Sequence, residues 1–146
     1  MEIAATSTEV FDCINDVSKW WVKQVEDTTT AFEGESSNLN DVFVLRAGDR
    51  TGNNHYSKHK LIEVVPNERV VWLVTDSMLN WIKGNMEEWT GTKMIFDIIQ
   101  NSESTTLIFT HEGLVPQLEC YEHCLHFWDM IIKDWLLTFI IRRKTI

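Results

Sequence analysis

The stretch from Thr105 to Ile146 constrains the fold of this chain more than any other. It reads as one apolar strand, a Gly-Leu-Val-Pro break at 113–116, and a single helix from about Gln117 to about Arg143. At about 100° per residue, Tyr121, Leu125, Trp128, Ile132, Trp135, Leu136 and Phe139 line one stripe, with Leu118 and Cys124 at its margins. Glu119, Glu122, His123, His126, Asp129, Lys133 and Asp134 occupy the opposite side. So wide a stripe needs a large apolar partner, which the rest of the chain has to supply.

That partner reads as a sheet. Met1 to Ala5 is a short first strand, and Thr6-Ser7-Thr8-Glu9 has the form of a capping box that opens a helix. Val10, Ile14, Val17 and Trp21 share a face, and Asp16 or Ser18 restarts a second short helix through Lys19-Trp20-Trp21. From Thr28 the helical signal stops and strand-like runs take over. Asp41 to Ala47 is the first clear run, followed by a polar loop at 48–54. His55 to Val65 and Arg69 to Thr75 form a hairpin about Pro66-Asn67-Glu68. Asp76 to Asn85 fits a loop lid, a strand or a helical turn equally well. Glu87 to Gln100 resumes as strand, and Thr105 to Glu112 runs back beside it through a polar turn at 101–104. By alternation Thr92, Met94, Phe96 and Ile98 face the core, and Leu107, Phe109 and His111 face it from the neighbouring strand.

Strands grouped between helices predict an α+β domain rather than a parallel α/β sheet. The expected architecture is a helix-grip fold: a curved antiparallel sheet of about six or seven strands around the long C-terminal helix, with two short helices after the first strand. At 146 residues, without a repeat or linker, the whole chain is read as one domain.

Composition narrows the functional classes. Seven tryptophans and seven phenylalanines suit a heavily packed core or a cavity walled by rings. A net charge of −9 disfavours nucleic acid and anionic membrane surfaces as partners. The one basic cluster, Arg142-Arg143-Lys144, falls at a helix C-terminus, where it complements the dipole. No stretch has the order of a signal peptide, and Asp129, Lys133 and Asp134 interrupt the last helix, so no membrane span is expected. Three cysteines fit reduced thiols, and the expected location is cytoplasmic.

Several pieces carry a family resemblance: Trp20-Trp21, Val65-Pro66 with Arg69-Val70-Val71-Trp72, Glu88-Trp89-Thr90-Gly91-Thr92, and Phe109-Thr110-His111-Glu112-Gly113-Leu114-Val115-Pro116 leading to Glu119-Cys120-Tyr121 and Cys124. In order and spacing the chain resembles the SRPBCC (START-like) superfamily, in the bacterial branch related to the activator of the heat-shock protein 90 ATPase. The resemblance implies a helix-grip fold with a cavity between helix and sheet that holds an apolar or aromatic small molecule in many relatives. Two departures, a very short first strand and a helix end without a Gly and Pro tail, would loosen one end of the barrel.

Individual residues offer little chemistry. His111 beside Glu112 suggests acid/base work at a cavity wall, but adjacent strand residues point to opposite faces, and a structural histidine bonded to a backbone group at the strand end is the reading preferred over a catalytic one. Cys120, Cys124, His123 and His126 look like a metal cluster until placed on a wheel, where the histidines fall about 100° or more from the cysteines. Cys124 against apolar surface has the raised pKa of an inert thiol. Glu88 points inward if Trp89 lies outward, and would then need Arg46, Lys58 or Lys60 as partner. No phosphate loop, Ser/His/Asp order or CxxC pair is present, and no metal or other cofactor is expected. The expected ligand site comprises Trp72, Glu88, Trp89, Phe96, Phe109, His111, Tyr121, Cys124 and Trp128. Three functions fit: a module binding a small apolar or aromatic ligand, a co-chaperone-like module with a chaperone partner, and a small cyclase or hydrolase using His111 or Glu88.

Overall fold

The computed structural model describes residues 1–21, 24–25, 28–48, 54–79, 86–115, 118 and 121–144. In chain order they form β1 (Glu2–Ile3), α1 (Ser7–Ile14), α2 (Val17–Trp20), β2 (Gln24–Val25), β3 (Thr28–Gly34), β4 (Val42–Gly48), β5 (Asn54–Val65), β6 (Arg69–Met78), β7 (Lys93–Gln100) and β8 (Thr105–Glu112). The C-terminal helix follows as α3 (Tyr121–Met130), a π-helical segment (Ile131–Leu136) and α4 (Leu137–Lys144). All neighbouring strands pair antiparallel in the order β1-β8-β7-β6-β5-β4-β3-β2. The sheet curves around the C-terminal helix in the expected helix-grip arrangement. The count reaches eight because the sheet edges are two-residue strands.

The capping signal at the first helix is realised. Thr6 is the N-cap, its Oγ1 accepting from the Glu9 amide at 3.1 Å. Val10, Ile14, Val17 and Trp21 are all buried. Asp16 starts α2 without a side-chain cap, and its carboxylate lies 3.7 Å from the Arg143 guanidinium on α4. Gly34 closes β3 at φ +108°, where a Cβ would collide with the Val42 carbonyl, so the turn into β4 requires glycine.

Two expectations are corrected. The strand read from Glu87 begins only at Lys93: residues 86–91 are a turn, with the Thr90 amide bonded to the Glu87 carbonyl at 3.0 Å and Gly91 at φ +90°. The helix stripe is also re-phased. Its buried members are Cys124, Trp128, Ile131, Ile132, Leu136 and Ile140, whereas Leu125 is 48% exposed. In α3 the buried face runs through Cys124 and Trp128, and from Ile131 onward the π segment sets the phase. Leu137 N–H bonds to the Ile132 carbonyl, an i→i+5 step, so Ile131 and Leu136 stack on one face at a spacing that an α-helix would send apart. The expected helix start at Gln117 and most of the ambiguous 76–85 stretch lie outside the described residues, although β6 continues to Met78.

Trp72 is the centre of the core. It is fully buried and meets Trp20 of α2, Phe43 of β4, His59 of β5, Phe96 of β7 and Trp128 of α3 at ring-centroid distances of 4.8–6.4 Å. One side chain thus ties five elements together. Among the described residues no helix is long and apolar enough to cross a membrane.

Candidate functional site: a groove between β8 and the C-terminal helix

The site follows from how little of β8 is covered. β1 pairs only Glu2 with Thr106 and Ile3 with Thr105, and Met1 closes the ladder by exchanging bonds with Leu107 at 2.9 and 2.8 Å. From Ile108 to Glu112, among the described residues, no strand lies on that side of β8. Between this edge and α3 runs a groove of about 550 Å³, a size typical of small-molecule sites. Leu107, Phe109 and His111 of β8, Leu114 just beyond it, and Cys124, Trp128 and Ile132 of the helix form its walls. Met1, Ile108, Leu125, His126, Asp129 and Lys133 complete the lining, and the exposure of Ile108 (45%) and Leu125 (48%) shows that the groove opens to solvent. At the rim Lys133 and Asp129 pair at 3.0 Å, one turn apart on the helix, so they add no net charge.

One polar network is built into the wall. The Thr92 hydroxyl donates to the Trp89 carbonyl at 2.6 Å, and Thr92 Oγ1 is also 2.8 Å from His111 Nε2. A hydroxyl has one proton, and a carbonyl can only accept. Thr92 therefore accepts from the histidine, and Nε2 carries the imidazole proton. Burial pushes the His111 pKa down to about 4, so the ring is neutral at pH 7 and its Nδ1 is a bare acceptor. Nδ1 is buried without a hydrogen-bond partner. The Trp89 ring stands edge-on to His111 at 5.5 Å, and its indole N–H donates to Cys124 Sγ at 3.1 Å. Turn, strand and helix are thereby locked together around Trp89. The Nε2 proton is committed to Thr92, so proton abstraction at that nitrogen is not what this arrangement is built for.

The expected site residues fall into four places. Phe109, His111, Cys124 and Trp128 come together in the groove. Trp72 and Phe96 stand one layer inward, Trp72 6.4 Å from Trp128 and Phe96 5.1 Å from Phe109 between ring centroids, and both are fully buried. Trp89 faces inward and borders a second cavity of about 20 Å³, one water's worth, between Trp128 and Ser57. Glu88, half-buried in the turn, and Tyr121, half-buried at the start of α3, are not among the groove-lining residues. Leu107, Leu114 and Ile132 line the groove although no site reading singled them out.

On the helix Cys124 is fully buried and His126 exposed, although both border the groove. Cys120 and the His123 side chain lie outside the described residues. Among the described residues no three His, Cys, Asp or Glu side chains gather within reach of one ion. A second buried histidine went unnoticed in the sequence. His59, fully buried on β5, stacks on Phe43 at 5.0 Å and shares a 2.7 Å hydrogen bond with Ser57 Oγ. Burial, and then the neighbouring His111, push its pKa down to about 3.

No protein-family model and no curated protein sequence matches the chain. Solved structures do. An uncharacterised protein from Rhizobium leguminosarum is 16% identical, with 97% of this chain and 92% of that one covered at a TM-score of 0.73. The AHSA1-like protein from Aeromonas hydrophila is 12% identical over 99% and 92% of the two chains, TM-score 0.68. The Aha1 dimer from Colwellia psychrerythraea is 18% identical over 92% and 87%, TM-score 0.64. At these identities the likeness is one of fold. The chain thus has the helix-grip α+β fold found in Aha1 and AHSA1-like proteins.

Proposed function

We propose that the chain binds a small apolar or aromatic ligand in the groove between β8 and the C-terminal helix. The observation that carries this reading is the groove itself, about 550 Å³ with walls from Leu107, Phe109, Trp128 and Ile132. Phe109 stacks on Trp128 at 5.5 Å and 26°, which presents a flat aromatic wall. Phe109, His111, Cys124 and Trp128 contact the ligand, while Trp72, Trp89 and Phe96 hold those side chains in place. The test is thermal unfolding with a panel that includes decanol, indole and naphthalene. A ligand at a hundredfold its dissociation constant adds about 2.7 kcal/mol, a rise in Tm of about 5–10 °C for a domain of this size. Leu125→Trp, which puts a bulky ring into the groove from an exposed position, abolishes the shift. A panel that leaves Tm unmoved at saturation removes the proposal.

A co-chaperone-like role draws on the fold likeness alone, and fold is a weak guide to function. Stimulation of a purified bacterial heat-shock protein 90 ATPase, undiminished in Leu125→Trp, would favour it over the ligand reading.

A further inference from the structure

The direction of each backbone group on β8 is fixed by its neighbours. Leu107 donates its N–H to the Met1 carbonyl at 2.8 Å and accepts the Met1 amine at 2.9 Å, so both of its groups point away from β7. Ile98, opposite Leu107 on β7, likewise sends its N–H the other way, to the Glu68 carbonyl at 2.9 Å. In an antiparallel ladder the side alternates with each residue. Phe109 and His111 therefore point their N–H and C=O groups at the open edge, while Ile108 and Thr110 bond to β7. Leu114 N–H takes the His111 carbonyl at 3.2 Å. Phe109 N–H, Phe109 C=O and His111 N–H are left without a partner among the described residues. The same edge borders the groove: Leu107 and Phe109 face inward and Ile108 outward, yet all three line it, so the groove runs along the edge of the strand. Edge strands built to avoid pairing carry Lys, Pro or a bulge. Ile108-Phe109-Thr110-His111 has neither Lys nor Pro, and its register with β7 is unbroken to Glu112.

We infer that this edge is an interaction surface for an extended peptide segment, which adds antiparallel to β8 over residues 108–112, continues the line of β1 and turns alternate apolar side chains towards the groove. The peptide residue opposite Phe109 exchanges both main-chain bonds with it, and the residue two before it accepts from His111 N–H. Their side chains share the inward face of Phe109 and His111, between β8 and the helix. In strand addition of this kind main-chain bonds supply affinity and the side-chain pockets supply sequence preference. The chain carries a net charge of −9, and Glu112 at the end of β8 and Glu122 at the start of α3 are exposed. That charge favours a segment that also carries lysine or arginine, and it opposes pairing of the edge with a second copy of the same chain. The peptide shares the groove with the small ligand proposed above but rests on the strand edge, not on that ligand.

The experiment is calorimetry on the full native chain with the peptide acetyl-Lys-Thr-Leu-Thr-Leu-Thr-amide. Met1 already pairs with Leu107, which blocks any register that slides the strand further along, so the second leucine lies opposite Phe109. N-methylation of that leucine costs about tenfold in affinity, the worth of one main-chain bond. N-methylation of the threonine before it, whose N–H faces away from β8, leaves affinity unchanged. A glutamate in place of the lysine weakens binding at low salt. Amide exchange supplies a second readout: in the free protein Phe109 and His111 exchange fast and Ile108 and Thr110 slowly, and the peptide slows Phe109 and His111. Absence of binding, equal effects of the two methylations, a glutamate peptide that binds as tightly, or protection of Phe109 that grows with protein concentration and so reports a second copy overturns the inference. Naphthalene binding without peptide binding overturns this inference alone, and the alternating pattern upholds it whether or not naphthalene binds.

Discussion

Replacing Trp72 by alanine is expected to cost about 3–5 kcal/mol, a large share of the roughly 5–15 kcal/mol that stabilises a typical domain. The indole is fully buried and its ring pairs reach Trp20, Phe43, His59, Phe96 and Trp128. Truncation leaves a cavity bordered by rings from five elements, and flat rings held by separate elements cannot all move in to fill it. Aromatic pair energies are lost as well, each about 0.5–1.5 kcal/mol beyond area burial. Urea unfolding followed by tryptophan fluorescence measures the effect. Ile108→Ala, at a position 45% exposed, is the control, expected to cost well under half as much. A Trp72→Ala loss below about 1.5 kcal/mol would mean that the core is looser than described.

Lowering the pH from 6.5 to 4.5 is expected to remove about 5 kcal/mol of stability through two histidines. His59 and His111 are held neutral by burial, their pKa values pushed down to about 3 and about 4 from 6.5. Above pH 6.5 both are neutral in either state and contribute nothing to the pH dependence. Below it the unfolded chain takes up protons that the folded chain refuses, so each group costs about 1.4 kcal/mol per pH unit until its folded value is reached. The loss therefore runs from pH 6.5 down to about 4 for His111 and on to about 3 for His59. Replacing His59 with phenylalanine and Ser57 with alanine together removes both ends of the 2.7 Å bond and keeps the stack on Phe43. Removing both partners avoids leaving one buried polar group unsatisfied. That double variant should show about half the slope, and a native protein of constant stability from pH 6.5 to 4.5 would refute the buried-neutral assignment.

The parts of this molecule legible in its sequence are those where one local rule acts alone. Thr6 caps α1 as its Thr-Ser-Thr-Glu context predicts, and alternation puts Met94, Phe96, Ile98 and Leu107 inward because β7 and β8 are regular and cover one apolar face. Where two rules compete, reading fails. The C-terminal helix has a plain 3.6-residue stripe, but α3 buries the face of Cys124 and Trp128 and so leaves Leu125 outside, and the π segment then shifts the phase so that Ile131, Leu136 and Ile140 are buried as well. Trp89 reads as part of a strand because β propensity dominates its neighbourhood, yet the positive φ of Gly91 turns the chain and sends the indole inward. His59 is hidden by composition: Ser57 and His59 alternate with Lys58 and Lys60, so this side of β5 shows no apolar pattern, and register shifts at Lys58/His59 and Leu61/Glu63 break the period. Of the groove, the shortness of the first strand was visible. That it uncovers β8 from Ile108 onward depends on which strand it pairs with, a contact about a hundred residues away in sequence.

The central claim, that the groove between β8 and the C-terminal helix is the binding site, is tested most directly by amide chemical-shift mapping of the full chain titrated with naphthalene. The account predicts saturable shifts concentrated at residues 107–111 and 124–132. Shifts confined instead to the cleft of Trp20, Trp135 and Phe139 at the other end of the helix, or no shifts at saturation, would contradict it.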